Sequence, residues 1–168
     1  MSQTRHTMAS LNGLSHEEFG RACGPVFESS PWIAAETAAQ RPFADFDALL
    51  RALCGRVRSA APERQLALIC AHPDLVGRMT LTAESQREQA SAGLTALTPE
   101  EIELFRARNE SYRNRFGFPF VICARLNKKE AILAAFDQRL PHSREEEIEA
   151  ALEEIFKIAA LRLRDIVV

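Results

Sequence analysis

The stretch SREEEIEAALEEIFKIAALRLRDI, residues 143–166, reads as one long amphipathic helix. Ile148, Leu152, Ile155, Ala159 and Ile166 follow the three- and four-residue steps that line up on one side of a helix. Ser143 and Glu146 stand at the spacing of a capping box, in which hydroxyl and carboxylate satisfy amides that the first turn leaves unpaired. Arg162 falls inside the apolar stripe, whereas Arg164 projects to the opposite side as an ordinary solvated charge. A guanidinium carried toward a core needs an acceptor, because an unpaired buried charge is expensive. Pattern alone favours a structural ion pair or a side chain that snorkels to water. The sharper alternative is an anion anchor that holds a planar carboxylate through two parallel hydrogen bonds.

The same start signal recurs at Ser15-x-x-Glu18 and at Thr98-x-x-Glu101, the latter with Pro99 at the first helical position. Ser30-Pro31 opens a helical segment to about Gln40, and Asp45 precedes Phe46, Leu49, Leu50, Leu53 and Val57 on one helical face. Pro62 begins a segment running to Ala71, and Lys128 to Leu140 carries Ile132, Leu133 and Phe136 before Pro141 stops it. The one strand-like run, Phe118 to Leu126, has no partner of its type. The expected fold is therefore all-α, a single-domain helical bundle of about seven to eight helices over residues 1–168, with residues 1–12 flexible.

A chain of 168 residues can bury about two thirds of the surface its unfolded form exposes. A formal charge of −2, from 21 basic and 23 acidic residues, offers no net pull toward phosphates and disfavours a nucleic-acid binder. No apolar run is long enough to span a membrane, the N-terminal residues lack a signal pattern, and Ile166-Val167-Val168 is no peroxisomal address, so a cytoplasmic location is expected. Cys23, Cys54, Cys70 and Cys123 are scattered without zinc spacing and are expected to be buried free thiols in a reducing compartment. Neither a metal-binding pattern nor a glycine-rich phosphate loop occurs, so no metal and no cofactor is expected.

Two further segments break the helical pattern. His72-Pro73-Asp74-Leu75-Val76-Gly77 follows an apolar helix, and the proline biases His72 away from helical geometry, which places an imidazole at a helix end. Imidazole both gives and takes a proton near neutrality, although a lone histidine at such a place is more often structural. His6, His16 and His142 lie in terminal, polar or capping contexts that offer little reason for catalysis. On a helix, Ser85, Glu88 and Gln89 share one face. Those residues form either a polar binding surface or another capping box, Ser85-x-x-Glu88, with Gly93 as terminator.

These runs together closely resemble the signature of the OHCU decarboxylases, enzymes named for 2-oxo-4-hydroxy-4-carboxy-5-ureidoimidazoline. Phe27-Glu28-Ser29-Ser30-Pro31-Trp32, Asn109-x-x-Tyr112-x-x-x-Phe116-Gly117-Phe118-Pro119-Phe120-Val121-Ile122-Cys123 and Leu161-Arg162-Leu163 look like further landmarks in family order. Ser29 is a departure, standing where many members carry histidine. The resemblance implies an all-α homodimer without a cofactor that converts OHCU to (S)-allantoin in urate breakdown. It makes His72 the catalytic imidazole and Glu88 its acidic partner. Ser85, Gln89 and Arg162 would bind substrate, Pro73 would shape the pocket, and the backbone of Phe120, Val121 and Ile122 would meet ring or ureido amides. Two alternatives from other classes are a helical interaction module without catalysis and a hydrolase acting on another ureido compound.

Overall fold

Side-chain caps start the helices where local chemistry says they should. In the computed structural model, which describes residues 4–77 and 80–168, Ser15 and Glu18, Thr98 and Glu101, and Ser143 and Glu146 all close reciprocal boxes. Asp45 accepts from the Ala48 amide at 2.7 Å and starts the next helix. The architecture is all-α, and among the described residues the only extended pairing is a single bridge between His6 and Val167. Nine α-helices form among those residues: α1 (Met8–Gly13), α2 (His16–Cys23), α3 (Trp32–Thr37), α4 (Phe46–Arg58), α5 (Pro62–Cys70), α6 (Ala83–Ser91), α7 (Pro99–Phe116), α8 (Lys129–Arg139) and α9 (Arg144–Ile166).

Eight of these helices match the segments expected from sequence, and α1 is the addition. It overlaps the stretch expected to be flexible, residues 1–12, of which residues 1–3 lie outside the described residues. Thr7 caps α1, Leu11 is fully buried, and Asn12 exchanges two 2.9 Å hydrogen bonds with the Phe43 backbone. One buried leucine is too short a periodic signal to announce a helix. The strand-like run at 118–126 forms no strand: its first six residues have no regular structure and it ends in a 3₁₀ turn, Ala124–Leu126.

The chain divides into two compact units. The first comprises Met1–Leu68 with Phe156–Val168. Its α3 lies against both α2 and α4, and Phe19, Ile33, Leu49, Leu53, Val57 and Leu163 are buried in it. The second unit, Ile69–Ile155, is built on an aromatic cluster. Tyr112 of α7 lies 4.6 Å from Phe116 and 5.2 Å from Phe120, and Phe120 stacks on Phe136 of α8 at 3.8 Å between centroids. Aromatic pairs of this kind add stabilisation beyond their buried area.

Two expectations need correction. The buried stripe of α9 begins at Glu147, which is fully buried, and Ile148 is only half-buried; Ala151, Ile158 and Leu163 complete the stripe. Of the four thiols only Cys23 and Cys123 are buried. Cys70 is exposed because the neighbouring Leu68 and Ile69 take the inward face of α5.

The caps also carry a pH dependence. The Glu101 carboxyl is held below the ordinary carboxylate range by Lys129 and the Thr98 amide. A depressed folded value contributes stability above the unfolded value and loses it as pH falls through the folded one. The stability gap between wild type and Glu101→Gln is therefore expected to be largest near neutrality and to shrink below about pH 4, as read by urea unfolding at several pH values.

Candidate active site

α6 is turned inside out. Thr82 caps it by accepting from the Ser85 amide at 3.2 Å, so Ser85 sits in the third helical position and Ser85-x-x-Glu88 is not the capping box. Gly93 does end the helix, at φ 81, with the Leu94 amide reaching back to the Gln89 carbonyl at 3.0 Å. The buried positions of α6 are Ser85, Glu88 and Gln89, whereas Ala83 and Ala90 face outward. Hiding a hydroxyl, a carboxylate and an amide while exposing alanine runs against the rule for a surface helix. Such a face is built to meet polar groups, since burying these side chains without partners is costly.

His72 enters at the end of α5. Its backbone amide bonds to the Ile69 carbonyl at 3.1 Å, Pro73 prevents the helix from continuing, and the side chain is buried. The chain then makes a tight turn in which the Gly77 amide meets the Asp74 carbonyl at 3.3 Å. Any Cβ at position 77 would stand 3.0 Å from that oxygen, which explains the glycine. Val76 sits at φ 57, a left-handed conformation that strains a β-branched residue by about 1–3 kcal/mol. Gln89 of α6 grips this turn: its Oε1 accepts the Val76 amide at 3.1 Å and its Nε2 donates to the Asp74 carbonyl at 3.4 Å.

The third component follows α7, which Gly117 terminates at φ 81. Phe120, Val121 and Ile122 are buried in a segment without regular structure, and Arg139 donates to the Val121 carbonyl at 2.6 Å. The next residue, Cys123, has its thiol pushed up by burial and then by the Glu154 and Glu88 carboxylates, which places Glu88 within electrostatic reach of this segment. α6 also lies against the Ala124–Leu126 turn, and Lys128 donates to the Ser91 carbonyl at 3.0 Å. α6 thus lies between the His72 turn, held through Gln89, and the chain that follows the 120–122 segment at 124–128. His72, Pro73, Ser85, Glu88, Gln89, Phe120, Val121 and Ile122 all belong to the second unit.

Arg162 belongs to the first unit, buried as the α9 stripe requires. Its Nη2 lies 2.8 Å from Glu28 and its Nη1 donates to the Pro25 carbonyl at 3.1 Å. The ion-pair reading of this arginine accordingly has its partner, in one of the landmark segments.

Several residues of consequence were given no role of their own by the sequence. Glu147 accepts from the Tyr112 hydroxyl at 2.5 Å and from Arg139 Nε at 2.8 Å, and also lies 2.8 Å from His142 Nδ1. Burial and the adjacent Glu147 push the Tyr112 phenol well above its ordinary range, so it remains a neutral donor. Asn109 donates to the Leu75 carbonyl at 2.7 Å and Arg113 pairs with Asp74 at 2.9 Å. Periodicity could have flagged two of them: Glu147 precedes Ala151 and Ile155 on the α9 stripe, and Asn109 lies between Phe105 and Tyr112 on the buried face of α7.

An imidazole on a proline turn, a buried carboxylate, hydroxyl and amide on one helix, and a backbone segment fixed at the Val121 carbonyl are groups that can bind a small polar substrate and exchange protons with it. The sequence profile of the OHCU decarboxylase family matches residues 12–164, and the chain belongs to that family. It is 44% identical to the 2-oxo-4-hydroxy-4-carboxy-5-ureidoimidazoline decarboxylase of Halalkalicoccus jeotgali, over 98% of this chain and 94% of that one. With the protein of the same name from Haloferax volcanii it shares 42% identity over 95% of each chain. Among solved structures, that of (S)-allantoin synthase superposes with a TM-score of 0.75 at 31% identity, covering 96% of this chain. The present chain spans 54% of that longer one.

Proposed function

We propose that this chain is a cofactor-independent carboxy-lyase that converts OHCU to (S)-allantoin in urate degradation, with His72 and Glu88 as its catalytic pair. The observation that carries the reading is the buried polar face of α6 joined through Gln89 to the His72 turn, in a chain of this family.

The substrate dictates what the residues must do. Its C4 carries a hydroxyl and a carboxylate and adjoins a C5=N imine. When the C4–carboxylate bond breaks, the electron pair forms a C4=C5 bond and the imine electrons move to nitrogen, which takes a proton. CO2 leaves and an enol remains. The enol then loses its hydroxyl proton and gains one at C5, giving allantoin, so one proton is taken up overall. In this reading His72, aligned by Glu88, polarises the C4 hydroxyl and handles its proton. A donor fixed on one ring face sets the S configuration. Ser85 and Gln89 bind the substrate, Pro73 shapes the pocket, and the backbone of Phe120, Val121 and Ile122 meets its amide groups.

Arg162 anchors a negative part of the substrate in this reading, with Glu28 fixing its orientation. Arg162→Lys keeps the charge but loses the planar fork. It should raise KM by about tenfold or more while leaving the fold intact; an unchanged KM would remove the anchor role. The chain is further read as one domain that works as a cytoplasmic homodimer. The reaction class is tested by following freshly generated OHCU: stoichiometric CO2 release supports a decarboxylase, whereas ammonia or urea release would make it a hydrolase.

A further inference from the structure

The turn that carries His72 is held from two helices at three consecutive residues. Arg113 of α7 grips Asp74 with Nε at 3.0 and 3.2 Å from the two carboxylate oxygens and Nη2 at 2.9 Å. One helical turn earlier, Asn109 donates to the Leu75 carbonyl at 2.7 Å. Gln89 of α6 then takes the Val76 amide. Together these bonds enclose the one residue of the turn in a left-handed conformation, Val76. A β-branched residue stays at such a φ only where its surroundings over-determine it.

Two more observations mark these bonds as a device for placing the turn. A cavity of about 450 Å³ borders Asp74, Val76 and Gly77 on the side of Asn109 and Arg113, so close packing does not hold the turn there. Among the described residues the buried Asn109 Oδ1 accepts no hydrogen bond, and the side-chain amide engages the turn through its donor. Pro73, with its fixed φ, stiffly links the held Asp74 to His72.

The geometry points to Asn109 and Arg113 as positioning residues that fix the His72 imidazole through the Asp74–Val76 turn. This inference rests on the proposed role of His72. Neither residue touches the reacting atoms; removing either lets the imidazole drift from its working position. A displacement of about 1 Å can cost about 10²-fold in rate.

The test compares Asn109→Ala, Arg113→Ala and Arg113→Lys with wild type in the full chain. Arg106→Ala, which loses only an exposed pair with Glu103 on the same helix, serves as control. Asn109→Ala and Arg113→Ala should lower kcat by about tenfold to 10²-fold with KM within about twofold. Arg113→Lys should fall between Arg113→Ala and wild type, and Arg106→Ala should match wild type. Amide hydrogen exchange at Leu75, Val76 and Gly77 should accelerate in the first three variants only. Folded variants with unchanged kcat, or unchanged exchange at these amides, overturn the assignment. Arg113 is partly exposed, so its variants remain informative if Asn109→Ala fails to fold. An inactive wild type would instead sink the functional reading, and the exchange data would still decide whether the two side chains hold the turn.

Discussion

His72→Asn should fold like wild type and lose about 10²- to 10⁴-fold of the decarboxylation rate. The substitution keeps a polar side chain at the end of α5, and the backbone hydrogen bond from residue 72 to Ile69 does not depend on the side chain. The turn beyond it is fixed by Gln89, Asn109 and Arg113, none of which requires an imidazole. Asparagine does not take up or release a proton near neutral pH, so the loss falls on kcat. A structural histidine would give the opposite pattern, with a lower melting temperature and full activity per folded molecule.

The largest stability effect is expected at a residue remote in sequence from the catalytic motifs. Glu147→Ala removes a fully buried carboxylate and strands the Arg139 guanidinium, whose side chain is 11% exposed and whose Nη2 makes no hydrogen bond among the described residues. Removing one member of a buried ion pair costs about 3–5 kcal/mol, because the other charge stays in a dry environment. For a chain of this size that corresponds to a fall in Tm of roughly 6–20 °C, measurable by calorimetry. Glu147→Gln should recover part of the loss by still accepting from Tyr112. A fall of less than about 2 °C in Glu147→Ala would show that the cluster is not under the strain of burial assigned to it. Arg139 also donates to the Val121 carbonyl, so the same variant should loosen the backbone proposed to receive the substrate.

Local signals carried most of the architecture. A capping box involves residues three apart, so Ser15, Thr98 and Ser143 could each be read without knowledge of the fold. The same rule misled at Ser85, because the helix already begins at Thr82 and the Ser-x-x-Glu spacing there serves a buried face. Cap spacing and site spacing are identical on a helix, and only burial separates them. His72, Glu88 and Gln89 stand out as candidates because a long ordered motif surrounds them. What the motif left open was how the parts are held. The hydrogen bond from Asn109 to Leu75 joins residues 34 apart, and that from Arg162 to Glu28 joins residues 134 apart. Pairings of that range follow from tertiary packing and leave no periodic trace in sequence. Glu147 is hidden for a related reason: three glutamates in a first helical turn have the pattern of solvated charges, and the Tyr112 hydroxyl that meets one of them lies 35 residues away.

Circular dichroism at the allantoin band decides whether His72 drives a stereospecific decarboxylation, with urate, uricase and hydroxyisourate hydrolase generating OHCU in the cuvette. Wild type should produce rapid accumulation of the S enantiomer, and His72→Asn should follow the slow racemic decay seen without enzyme. Identical slow decay with both proteins would contradict the proposed activity and leave a helical module without this catalysis.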